Sequence, residues 1–238
     1  MQSDSQQAEQ APQAQGAIAV FVKTPEFSPL KTRLAKDVGA QAAQRFYQLA
    51  YAAVASVLQQ VQSALNVRIY WAVAEPEAEQ HPRWSQFETF AQGTGGLGQR
   101  MQHVYQTLLK KHAYVLLLGA DAPQICLNDF LQADTILRTN SRQYLLAPAA
   151  DGGFWCVGGN CAIASQVWRG AHYSSADTLS TFETLMSVHN RGIAAKLRSL
   201  TDVDTYADWK RARLELMQLA EPTLAQTAVL ALNMERTS

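Results

Sequence analysis

Two stretches of the chain are apolar without interruption. Tyr114 to Leu118 (YVLLL) stops at Gly119-Ala120-Asp121-Ala122-Pro123, and Ala17 to Val22 (AIAVFV) stops at Lys23-Thr24-Pro25. A strand covered by helices on both faces needs apolar side chains on both, so unalternated runs of this length predict central strands of a parallel sheet. Val67 to Val73 (VRIYWAV), closed by Glu75-Pro76, predicts another strand, and Phe87 to Ala91 a weaker one. Tyr144 to Ala147 and Phe154 to Val157 flank Asp151-Gly152-Gly153, which predicts a hairpin, and Ala194 to Leu200 predicts a late strand. Between these runs the apolar positions recur every three or four residues, the spacing of one helix face. They do so from Ala42 to Val61, from Leu97 to Leu109 and from Leu127 to Thr139. A further helix is predicted over Ser174 to His189, with Ser174 or Ser175 as N-cap, and a closing one from near Tyr206. Lys23 to Gly39 reads as a loop. The alternation predicts a three-layer α/β/α sandwich with a mostly parallel central sheet, a single domain over residues 17–238. Residues 1–16, Gln-rich and polar, read as a disordered tail and not as a signal peptide.

Composition narrows the range of partners. With 238 residues, 47% of them apolar and 17% charged, the chain has enough material for a substantial core. Twenty basic residues balance twenty acidic ones, so no overall field recruits nucleic acid or a membrane surface, and any anion site must be local. No apolar stretch is long enough to span a bilayer. Cys126, Cys156 and Cys161 form no CxxC pair, which fits a reducing cytoplasm better than a disulfide framework.

The candidate chemistry gathers at the ends of the two apolar runs. Asp121 follows the C-terminal end of its strand, where open α/β sheets bind ligands. A carboxylate there can hold Mg2+ or Mn2+ together with water and the oxygens of a diphosphate, or it can simply fix the Ala122-Pro123 turn. Asp202 and Asp204, in TDVDT, point the same way if the segment is extended, although Asp204 or Thr205 could equally cap the helix that follows. Lys23, Lys31 and Arg33 place cations after the first strand, suited to a diphosphate or to charge on a leaving group. Asp151 stands beside Gly152 and Gly153, a pair that could admit a ligand to the backbone, and could bind a hydroxyl or act as a base; a plain turn explains the same residues. Gly93, Gly95 and Gly98 match GxGxxG and raise a dinucleotide-binding fold as a competitor. Against it, the preceding FETFA is poorly apolar, and the basic loop would have no role. The five histidines show no metal-binding spacing.

VFVKTPEFSPLKTRLAKDVG, GGLGQRM, LLLGADAP, APAADGGFWCVGG, and TDVDT with Asp208 after it, together and in this order, resemble the bacterial DUF2064 glycosyltransferases of the nucleotide-diphospho-sugar transferase (GT-A-like) superfamily. The resemblance runs from about Ala17 to Leu216. It implies an α/β/α domain whose first half binds the nucleotide and whose second half shapes an acceptor pocket. It further implies a divalent metal near Asp121, with Lys31 and Arg33 facing phosphate. Gly119 occupies the place of the first acid of a DxD motif, which leaves Asp121 to work with Asp202 or Asp204. The function expected is metal-dependent transfer of a glycosyl group from a nucleoside diphosphate-sugar to a small acceptor. Lys23, Lys31 and Arg33 would stabilise the departing charge, Gly95, Gly96 and Gly98 would line the base or ribose, and Asp151 would contact the acceptor. A nucleotidylyltransferase acting on a nucleoside triphosphate and a phosphorylated substrate is the sister expectation. A nucleotide sensor without turnover is the non-enzymatic one.

Overall fold

The computed structural model describes residues 16–138, 141–190 and 195–236. Strand β1 (Gly16–Val22) pairs in parallel with β2 (Val67–Val73) on one side and β4 (Tyr114–Gly119) on the other, and short β3 (Glu88–Ala91) adds an edge beside β2. Beyond β4 the direction reverses. β6 (Phe154–Gly159) runs antiparallel to both β4 and β5 (Tyr144–Pro148), and β7 (Ala195–Lys196) closes the sheet in parallel with β5. The seven strands lie in the order β3-β2-β1-β4-β6-β5-β7, so all but β6 share one direction and end on one rim.

The apolar runs are buried on both faces because successive side chains enter different layers. Ile18, Val20 and Val22 pack with Leu116 and Leu118 against α2 (Ala40–Ala64) and α4 (Leu127–Leu137). Ala17 and Ala19 pack with Val115 and Leu117 against α3 (Leu97–Leu109), α5 (Ser165–Gly170) and α6 (Thr178–His189). A third cluster joins α2 to α1 (Thr32–Val38), α7 (Tyr206–Met217) and α8 (Leu224–Leu230), with Trp209 edge-on to Phe46 at 5.6 Å. The sandwich expected from the pattern is therefore the architecture observed. Among the described residues no helix is long and apolar enough to cross a membrane.

Several boundaries differ from expectation. The loop after β1 contains α1, whose Leu34 and Val38 are buried against α2. The helix expected from Ser174 starts at Thr178, because Ser174 takes a left-handed backbone (φ 61°) and Asp177 precedes the first turn. The late strand shrinks to Ala195–Lys196, with Leu200 forming an isolated bridge to Ala149. Ala194 and Thr139, the outer limits expected for that strand and for α4, lie outside the described residues, as does the tail at 1–15. Gly16, expected in the tail, is the first residue of β1.

Candidate functional site

A cavity of about 430 Å³ opens on the rim where β1 and β4 end, lined by Phe21 and Val22, by Leu117 to Gly119, and by the start of reversed β6. The loop leaving β1 is pinned beside it from several sides. The Tyr47 hydroxyl accepts from the Lys23 amide (2.9 Å) and donates to the Lys23 carbonyl (2.8 Å). Buried Glu75 accepts the Thr24 amide at 2.9 Å and the Ser28 hydroxyl, and Trp84 Nε1 donates to Thr24 Oγ1 at 3.1 Å. Thus fastened, the loop delivers Lys31 in a left-handed conformation (φ 44°, ψ 45°) at the head of α1. Residues with a Cβ adopt this geometry only at a cost in energy, so the surrounding contacts must hold it in place.

Those contacts are the acids. Lys31 Nζ lies 2.8 Å from Asp121 Oδ2 and 3.1 Å from Asp204 Oδ1, and its side chain is only 5% exposed. Arg33 Nη2 reaches Asp204 Oδ2 at 2.6 Å. Burial pulls the Lys31 ammonium down, but Asp121, Asp202 and Asp204 outweigh it and hold the group above the ordinary lysine value. Burial, reinforced by Asp121 and only partly offset by Lys31, pushes the Asp202 carboxyl up to about 7. Its Oδ1 is sealed from solvent and has no hydrogen-bond partner among the described residues. The segment carrying Asp202 and Asp204 is tied to the end of β4, where the Val203 amide donates to the Asp121 carbonyl at 3.3 Å. Thr205 caps α7 by accepting the Asp208 amide, while Asp208 Oδ2 accepts the Thr205 amide at 2.8 Å, so Asp204 is free to face the cations.

The remaining expected residues divide. Lys23, Asp151 and Gly153 line the cavity, and Asp151 Oδ1 accepts the Gly153 amide at 2.9 Å. Gly152 makes room for protein rather than ligand: its φ is 89°, and a Cβ there would strike the Ala176 carbonyl. Gly95, Gly96 and Gly98 do not line the cavity. Gly98 sits inside α3, where a Cβ would meet the Trp168 carbonyl of α5, so it serves helix packing. The same motif supplies Leu97, Arg100 and Met101 to the wall instead. Tyr47, Gln92, Arg100 and Thr178, all lining residues, were not singled out from the sequence. Arg100 at least lies inside GGLGQRM, whereas nothing local marks Gln92.

Among the described residues no group of three or more His, Cys, Asp or Glu side chains is arranged to hold a metal ion, and the Lys31 ammonium sits between Asp121 and Asp204. The donors are all carboxylates, and one buried oxygen of Asp202 lacks a partner. That set fits a hard cation held by one or two carboxylates and completed by a ligand's phosphate oxygens, not a cage built by protein alone.

A mostly parallel sheet of this order, with one reversed strand, gives an α/β fold shared with a solved structure described as a candidate nucleotide-diphospho-sugar transferase. Residues 53–175 match DUF2064, described as an uncharacterized protein conserved in bacteria, and the chain belongs to that family. No curated protein matches it. Among solved structures, a candidate nucleotide-diphospho-sugar transferase from Desulfovibrio desulfuricans G20 is similar with a TM-score of 0.79 and 24% identity, over 91% of this chain and 94% of that one. The 4-diphosphocytidyl-2C-methyl-D-erythritol synthase of Anaerococcus prevotii DSM 20548 is similar with a TM-score of 0.54 and 10% identity, over 86% and 99%. Both likenesses concern the fold.

Proposed function

We propose that the protein is a metal-dependent transferase that binds a nucleoside diphosphate-sugar and passes the glycosyl group to a small acceptor. The observation that carries this reading is the meeting of Lys31, Arg33, Asp121, Asp202 and Asp204, from three separate stretches of chain, on one wall of the cavity. Lys31 and Arg33 donate to the diphosphate oxygens and stabilise the charge that grows on the leaving nucleoside diphosphate. Asp121, with Asp202 or Asp204, would hold Mg2+ or Mn2+ on the same oxygens, and the ion would supply Lewis-acid neutralisation of the leaving group. Asp151, exposed and oriented by the Gly153 amide, receives the acceptor hydroxyl and its proton.

A nucleotidylyltransferase is the second reading. The cavity is lined by four basic side chains, Lys23, Lys31, Arg33 and Arg100, enough to serve a second phosphorylated substrate as well as a nucleotide.

Thermal-shift screening of nucleoside diphosphates, triphosphates and nucleotide sugars, each with and without Mn2+, tests the binding. A ligand at one hundred times its Kd adds about 2.7 kcal/mol of stability. Product analysis then separates the readings: release of nucleoside diphosphate marks glycosyl transfer, release of pyrophosphate marks nucleotidyl transfer, and binding without turnover marks a sensor. No metal-dependent shift with any nucleotide overturns the proposal.

A further inference from the structure

The basic groups of the cavity differ in what neutralises them. Lys31 is paired with Asp121 and Asp204, and Arg33 with Asp204, so without a divalent ion the carboxylates already offset both cations and that wall offers an arriving anion little net attraction. Arg100, on α3, is placed otherwise. Among the described residues no carboxylate lies within ion-pair distance of it. The acceptor its side chain meets among those residues is neutral: Nη1 donates to Gln92 Oε1 at 2.8 Å. Gln92 is itself buried and immobilised, since its Nε2 donates to the Val22 carbonyl at 3.2 Å and to the Ala72 carbonyl at 2.8 Å, at the ends of β1 and β2. Arg100 Nε is sealed from solvent and has no acceptor among the described residues. A guanidinium has five N–H donors and no acceptor, and one held half-buried without a counter-charge is stabilised by an anion that brings oxygens to its free edge.

We propose that Arg100, clamped by Gln92 at the ends of β1 and β2, forms a second anion subsite that takes a phosphate or carboxylate group without a metal. The subsite is set apart from the Lys31–Arg33 wall by its charge balance. It rests on the transferase reading only for whose anion it receives: a phosphate of the nucleotide, or an acidic group on the second substrate. Lys23, exposed just after Val22 and without an ion-pair partner among the described residues, adds to the positive potential there.

Calorimetric titration of the protein with inorganic phosphate in EDTA tests the subsite. Phosphate is expected to bind the unaltered chain, with Arg100→Gln weakening it about tenfold or more and Arg100→Lys, which keeps charge but loses the planar fork, falling between. Arg33→Gln is expected to change it less than about twofold, because the acids already neutralise that wall. In the unaltered protein, the Arg100 Nε–H resonance should shift as phosphate is added, a readout that does not depend on the folding of any variant. Repeating the comparison with a nucleoside diphosphate and Mn2+ identifies the source. Weaker nucleotide binding by Arg100→Gln assigns the anion to the nucleotide, whereas unchanged nucleotide binding, with phosphate still binding the nucleotide-saturated unaltered protein, assigns it to the second substrate. Equal phosphate binding by Arg100→Gln and the unaltered chain, loss in Arg33→Gln alone, or no phosphate binding at all overturns the subsite. Failure to bind any nucleotide would instead defeat the transferase reading and leave the EDTA result standing.

Discussion

The ammonium of Lys31 lies 2.8 Å from the carboxylate of Asp121, although one residue heads α1 and the other follows β4. This contact joins the loop after β1 to the end of β4 and gathers Asp204 into the same group. It also means that the position between the acids is held by a side chain, so an arriving cation and Lys31 compete for the same carboxylates.

Replacing Lys31 by Met leaves Asp121, Asp202 and Asp204 facing one another. Removing one partner of a buried ion pair costs about 3–5 kcal/mol, so the melting temperature in EDTA is expected to fall by on the order of 10 °C. Mn2+ should raise the melting temperature of the variant more than that of the unaltered protein. Calorimetry with and without the ion checks both.

Asp202 gives a pH signature. Its folded value near 7 exceeds the ordinary 3.8, so the native state keeps a proton that the unfolded chain releases. Stability from this group is fully present below about pH 4 and is lost as pH rises to 7. Asp202→Asn abolishes the loss. The variant should match the unaltered protein at pH 4 and exceed it at pH 8 by up to about 4 kcal/mol, measured by urea unfolding in EDTA.

Glu75 should prove a positioning residue for the loop. Its carboxylate accepts from Thr24 and Ser28, and Glu75→Ala strands both donors in a largely buried place, at a cost of about 1–3 kcal/mol. Glu75→Gln keeps one acceptor and should lose less. Both variants should bind nucleotide more weakly than their stability loss alone explains, in proportion to how far the loop relaxes.

Two glycines should respond oppositely to Ala. At Gly98 the added methyl enters the Trp168 carbonyl, and the helix contact must open at about 1–3 kcal/mol or more. At Gly119 the nearest atom, the Asp121 amide nitrogen, is 4.0 Å away, and the change is expected to stay within about 0.5 kcal/mol. Denaturant midpoints distinguish them.

The legible parts of this chain were those in which one residue's chemistry is enough. Tyr114–Leu118 and Ala17–Val22 read as central strands because no half-exposed strand tolerates such runs, and the rule that ligands meet strand C-termini led from them to Asp121. The hairpin around Asp151-Gly152-Gly153 was legible from its turn residues. What escaped needed partners from elsewhere. Seven-residue α1 exists because Leu34 and Val38 find α2. The left-handed backbone of Lys31 follows from the acids that receive its side chain, and no local pattern announces it. Gly98 carried the form of a phosphate-loop glycine, yet its reason is a carbonyl of α5. Arg100 was hidden because its lack of a counter-charge is a property of the neighbourhood.

The reversal of β6 carries a further consequence. Since β5 ends and β6 begins on the rim that holds the cavity, the connection between them, residues 149–153, forms part of the cavity wall while remaining a simple reversal of the chain. Lengthening or shortening that connection would recut the wall nearest Asp151 while the pairing of β5 with β6 stays in register. A protein engineer seeking to fit a bulkier molecule would begin there, leaving the charged strand ends untouched.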